Sequence, residues 1–213
     1  FSQSGGMGLL AAEWIIEGET KYDMFAWDMA RFGAWADKDF IKSRVGDQYA
    51  NRFSIHFPNE ERVAGRPVRT RPIYEMQKEI GAVMGLNYGW EHPLWFADVP
   101  HLKDTNGFTR QNWWEPVGRE CKMLRENAGI IDISNFAKYL VRGEKAREWL
   151  DTVFANNMPM AVGRSCLTPL ISMRGGLAGD FTVTLMSENE YWILGSGMAE
   201  RYHKRFFDLV PVS

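Results

Sequence analysis

Cysteine, histidine and any surplus of charge are what this 213-residue sequence has little of: two Cys, four His, and 25 Lys and Arg against 27 Asp and Glu, a formal net charge of -2. Cys121 and Cys166 stand far apart with no CxxC partner. They build neither a disulfide framework nor a zinc site, and reduced thiols are expected. The near-neutral balance supplies no broad basic field of the kind that grips a phosphate backbone, so nucleic acid is set aside as a partner. No run approaches the roughly 18 apolar residues of a membrane span, and no membrane partner is expected. His92 and His101 fall in one polar stretch with no further ligand at helical or hairpin spacing. They read as solvated or hydrogen-bonded imidazoles, and no metal is expected.

What is there is globular: a 45% hydrophobic content lets a chain of this length bury a core in one large or two smaller domains. Twenty Gly and nine Trp stand out. The Trp excess reads first as core filling, with aromatic-lined pockets as the alternative. The chain opens on Phe1, and Ser4-Gly5-Gly6-Met7-Gly8 runs straight into an apolar helical pattern with no strand before it, which reads as a piece of a longer protein.

Residues 7–17 place Leu10, Trp14 and their apolar neighbours at helical spacing, with Gly18 as a stop. A buried helix is expected there, entered through a glycine turn whose unobstructed N–H groups suit a phosphate or an electron-rich cofactor edge. Residues 28–52 predict a helix with Phe32, Trp35, Phe40, Ile41 and Val45 on its apolar face. From 58 to 72, prolines and glycine interleave with Arg62, Arg66, Arg69 and Arg71. Four arginines could grip an anion; the plainer reading is an irregular connector whose arginines pair with acids such as Glu60 and Glu61. Residues 73–83 predict a short helix, and 85–112 a long aromatic loop. Beyond it come a helix from Pro116 to Asn127, a buried strand at Ile130, Ile131 and Ile133, a strand at 139–141, and a helix at 145–155. Strands at 168–172, 181–186 and 191–194, the last two a hairpin, precede a final helix at 198–209. Helices and strands mix without βαβ alternation, so the fold class is α+β.

The sharpest local feature is Arg174-Gly175-Gly176-Leu177-Ala178-Gly179-Asp180-Phe181. Its glycines permit close backbone approach, and its one acid stands at the entry of an otherwise apolar strand. Such an acid can hold an amine or pterin nitrogen by a charge-assisted hydrogen bond and shuttle a proton; it can equally be a turn aspartate.

A series of motifs resembles, in order, the dimethylglycine dehydrogenase and sarcosine dehydrogenase family. They are Gly5-Gly6-Met7-Gly8 with Ala12-Glu13-Trp14-Ile15-Ile16-Glu17-Gly18, Glu60-Glu61-Arg62-Val63-Ala64-Gly65-Arg66-Pro67, and Asn112-Trp113-Trp114-Glu115-Pro116-Val117-Gly118. Ile131-Asp132-Ile133-Ser134-Asn135-Phe136-Ala137-Lys138 and Phe154-Ala155-Asn156-Asn157-Met158-Pro159 continue it. The resemblance implies the tail of an FAD-dependent oxidoreductase domain at residues 1–24, a small middle domain at 25–84, and at 85–213 the N-terminal part of a folate-binding domain similar to the glycine-cleavage aminomethyltransferase. It further implies two cofactors, FAD and tetrahydrofolate. A flavin would take a hydride equivalent from an N-methylated amine, and tetrahydrofolate would capture the one-carbon unit from the resulting iminium. By the same resemblance Gly5, Gly6 and Met7 meet the flavin ring, and Asp180 is the catalytic residue, an acidic side chain beside the folate amine that orients it and assists proton transfer. Electron-transfer flavoprotein or oxygen is the implied acceptor, and bacterial cytoplasm or mitochondrial matrix the compartment. The same architecture also occurs in a phosphatase regulatory subunit, so a non-catalytic relative, or a folate-dependent aminomethyltransferase without oxidase chemistry, stands as the alternative.

Overall fold

Two β-sheets of unequal size organise the chain, as seen in a computed structural model that describes residues 1–211. The last two positions of the domain expected at 85–213 lie outside the described residues.

The larger sheet is antiparallel, in the order β3 (Ala137–Arg142), β6 (Glu190–Gly195), β5 (Leu177–Ser187), β4 (Ser165–Ile171). Alternation sets its inner face: Phe181, Val183 and Leu185 on β5 and Tyr191 and Ile193 on β6 all point one way. Against them lie Leu150 of α5 (Ala146–Val153) and Phe207 of α6 (Glu200–Leu209). Phe181 and Leu150 are at most 1% exposed. These strands and helices fall where the sequence predicts them, with ends shifted by a few residues.

The smaller sheet overturns an expectation. Residues 85–112 do not form one long loop, because β1 (Ala82–Asn87) and β2 (Trp90–Phe96) pair as an antiparallel hairpin. Its turn needs left-handed backbone at Tyr88 (φ 47°) and Gly89 (φ 86°), the two-residue geometry that matches strand twist. Pro93 obscures the pattern, yet it is tolerated on an edge strand beside the irregularity at Val83/Met84. Trp95, 4% exposed, joins Val83 and Ala97 as a second small core under Trp113 and α4 (Trp114–Glu126). Trp95 and Trp113 therefore pack as local core, and Trp114 is 41% exposed.

Three further expectations fail. The first helix, α1 (Ser4–Glu17), contains no buried residue, and its glycines are part of the helix rather than a turn before it. The predicted helix at 28–52 is reduced to α2 (Lys38–Ala50); two short 3-10 turns, Phe25–Trp27 and Met29–Arg31, precede it, and Ile41 and Val45 face solvent. Asp37 caps α2 by accepting the Phe40 N–H at 2.8 Å, which explains the late start. Ile130, Ile131 and Ile133 form no strand and are exposed, since no neighbouring strand offers them a ladder. A last helix, α3 (Tyr74–Glu79), leads into β1.

Candidate functional site at the open face of the larger sheet

Asp180 is the fourth residue of β5, inside the strand rather than at its entry, and pairs with Pro169 across the ladder. Because Phe181 points into the core, Asp180 points to the opposite face together with Thr182 and Thr184. That face is open. Leu167, Leu140 and Trp192, three of the cross-strand occupants of the same face, are 68%, 47% and 47% exposed. Asp180 is itself exposed, and among the described residues no hydrogen bond or ion pair engages its carboxylate. A free acid on an open sheet face of mixed threonine, leucine and tryptophan side chains can take a ring system that carries a basic or N–H donor edge.

The glycine run shapes the approach to this face. Gly175 adopts φ 82°, cheap only for glycine, and the turn closes when the Ser172 N–H donates to the Gly176 carbonyl at 2.8 Å. Arg174 at the tip reaches back to the first helix, Nη1 to Glu13 at 3.1 Å and Nη2 to Glu17 at 2.7 Å, and just past its end, Nε to Glu19 at 3.4 Å.

Gly5, Gly6 and Met7 lie in the first turns of α1, at its opposite end. A side chain added at Gly5 or Gly6 would meet nothing within 4 Å, and Gln3 supplies no side-chain cap. The space at Gly5 and Gly6 and the positive helix end are unobstructed, which fits an electron-rich ring edge. Glu17, held by Arg174, lies roughly 18 Å along the axis from Gly5 at the 1.5 Å helical rise. The fold thus ties α1 to the hairpin of Asp180 without bringing the glycines and Asp180 together.

One residue of this neighbourhood escaped the sequence reading. His203 on α6 is 2% exposed and lies edge-on to Phe181, ring centroids 4.5 Å apart. It occupies a glycine cradle: a Cβ on Gly179 would stand 2.6 Å from its Nε2, and one on Gly195 3.4 Å from its Nδ1. Burial pushes the imidazole down to about 4, against the upward pulls of the Asp180 charge and a hydrogen bond to the Ala178 backbone. It is therefore a neutral ring holding the inner side of the strand that carries Asp180. The signal was its helical register: Ala199, His203 and Phe207 recur every fourth residue on the buried face.

The arginines of 58–72 are engaged mostly in ion pairs, chiefly with acids distant in sequence. Arg66 grips Glu91 through Nε at 2.9 Å and Nη2 at 2.6 Å, Arg69 meets Glu200 at 3.3 Å, and Arg71 meets Asp132 at 2.6 Å. Burial works against ionising Asp132, but bonds from Ser134, Gln77 and Arg71 outweigh it and hold the carboxyl at about 2. Among the described residues no group of three or more His, Cys, Asp or Glu is arranged to hold a metal ion.

The antiparallel sheet backed by α5 and α6 defines the class of fold as that of an aminomethyltransferase. The solved glycine cleavage system aminomethyltransferase T from Bartonella henselae superposes with a TM-score of 0.51 at 23% identity, over 66% of this chain and 35% of that one. The chain belongs to the family described as the GCVT N-terminal domain, whose model matches residues 73–208, and ahead of it residues 17–70 match the FAD dependent oxidoreductase central domain. Mouse mitochondrial dimethylglycine dehydrogenase is 32% identical over 96% of this chain, and human mitochondrial sarcosine dehydrogenase 29% identical over 86%. The chain spans about a quarter of the length of these relatives, 24% and 23%.

Proposed function

We propose that this chain is part of an FAD-dependent oxidoreductase that demethylates N-methylated amines of the dimethylglycine or sarcosine type and delivers the one-carbon unit to tetrahydrofolate. The observation that carries the reading is the unengaged Asp180 carboxylate on the open sheet face of an aminomethyltransferase fold, directly after a segment that matches a flavin-oxidoreductase domain. The pairing of those two segments in dehydrogenases similar over nearly the whole chain supports it.

FAD, when bound, supplies acceptance of a hydride equivalent from the N-methyl group. The Gly5 and Gly6 amides and the N-terminal end of α1 would stabilise negative charge at one edge of its ring, and Met7 would pack there. Asp180 would hold the folate amine by a charge-assisted hydrogen bond and accept the proton released as the new N–C bond forms. His203, neutral and anchored on α6, would fix the strand on which Asp180 stands. The separation along α1 supports two places for the two chemistries, between which the one-carbon unit would travel. An electron-transfer flavoprotein or oxygen would then reoxidise the flavin. Relatives named as mitochondrial support the mitochondrial matrix as the compartment.

The test is anaerobic mixing of the full-length, flavin-loaded protein with dimethylglycine and with sarcosine. Bleaching of the flavin band by at least one is expected. A flavin that neither amine reduces removes the reading and leaves a non-catalytic relative.

A further inference from the structure

A cavity of about 270 Å³ lies where the two matched segments meet, lined on one side by residues 30–35 and Arg69 and on the other by Tyr88, Gly197, Met198, Glu200 and Arg201. It shares none of these lining residues with the open face that carries Asp180. Three guanidiniums line it, Arg31, Arg69 and Arg201, against the single carboxylate of Glu200. Arg69 uses that carboxylate at 3.3 Å and stacks over Trp90 at 3.8 Å from the ring centre. Arg31 and Arg201 have no carboxylate within ion-pair distance among the described residues. Arg201 makes one long bond to the Phe32 carbonyl at 3.5 Å, and Arg31 lies over the Phe32 ring at 4.6 Å with its shielded Nε unpartnered. Two positive charges on facing elements are thus left without a counter-charge around one concavity.

The walls are held in place. The Trp35 ring is clamped between two glycines, since a Cβ on either Gly33 or Gly89 would come within 2.7 Å of it. A preformed space lined by uncompensated guanidiniums suits the paired oxygens of carboxylates and phosphates, which arginine binds through paired N–H donors. The volume falls just below the roughly 300 Å³ at which drug-sized pockets begin, which suits a small metabolite.

We propose that this cavity binds a small oxyanion, a carboxylate- or phosphate-bearing metabolite, through Arg31 and Arg201. Because the two arginines come from different segments, the anion bridges the middle segment and the aminomethyltransferase-type domain, and its binding stabilises their junction. The proposal is independent of the roles given to Asp180 and to the glycines of α1.

The experiment uses the full-length, flavin-loaded protein, with calorimetric titration and thermal melts in inorganic phosphate, in succinate, and in sodium chloride matched for ionic strength. Saturable heat and a rise in melting temperature beyond the chloride control are expected for at least one of the two; which one answers tells phosphate from carboxylate recognition. Arg201→Gln, a change at an exposed side chain on α6, weakens that binding by at least ~10-fold, about 1.4 kcal/mol. Arg31→Gln does the same, and Arg119→Gln, a distant surface change, leaves it intact. Absence of saturable binding by either anion, or binding unchanged in both Arg31→Gln and Arg201→Gln, overturns the proposal.

Discussion

Asp180 and His203 stand on the two faces of one strand, and their physics differs accordingly. The carboxylate is open to solvent and to a ligand, whereas the imidazole is sealed among Phe181, Gly179 and Gly195. An imidazole whose folded pKa is depressed to about 4 binds fewer protons folded than unfolded, so stability rises with pH from about 4 to the ordinary 6.5. Across that window the group is worth about 3 kcal/mol, all of it present above the upper end. Denaturant unfolding near pH 4.5 and near pH 7 is expected to show that difference, and His203→Gln to flatten it. An equally steep limb in the variant would assign the dependence to another group. Asp132 acts in a lower window: its depressed carboxyl adds stability above 3.8 that is lost as pH falls through about 2. Asp180 stood out in the sequence as a candidate because an acid between glycines and an apolar strand is unusual, while its role came from the family resemblance. His203 was not, because a histidine in a helix is read as polar until its register with Ala199 and Phe207 is noticed.

At the level of elements, the hairpin β1–β2 is anchored by a charge. Glu91, 2% exposed, accepts two bonds from Arg66, which also donates to the Met84 carbonyl at 2.8 Å. Removing one member leaves the other buried and uncompensated. Glu91→Ala is expected to cost ~3–5 kcal/mol, read from urea midpoints, and the double change Arg66→Met with Glu91→Leu to cost less than that. A double variant as unstable as the single would mean the pair contributes through its geometry rather than through its charges. This hairpin was hidden in the sequence by Pro93 and by a left-handed Tyr88, a conformation few propensities anticipate. The strands of the larger sheet were legible because period-two alternation from Phe181 to Leu185 and from Tyr191 to Ile193 is unbroken. The isoleucines at 130–133 misled for the converse reason: β-branched residues suit a strand, but strand formation needs a partner edge, and none is adjacent.

For the whole molecule, the deciding relation is between the N-terminal segments and the aminomethyltransferase-type domain. Arg174 holds α1 against the hairpin of Asp180 through Glu13 and Glu17, Arg71 and Asp132 join the connector to the residues that lead into β3, and Arg69 meets Glu200. The order of segments was readable from the motif series. Their mutual contacts were not, because each ion pair joins residues separated by tens to more than a hundred positions. The tie places the glycines of α1 and Asp180 at different ends of a shared structure, so oxidation and capture should be separable by mutation. The most direct measurement is the product partition of full-length Asp180→Asn protein given an N-methylated glycine and tetrahydrofolate. Flavin reduction at the wild-type rate, a loss of methylene-tetrahydrofolate and a matching release of free formaldehyde are expected. An unchanged yield of methylene-tetrahydrofolate would contradict the account.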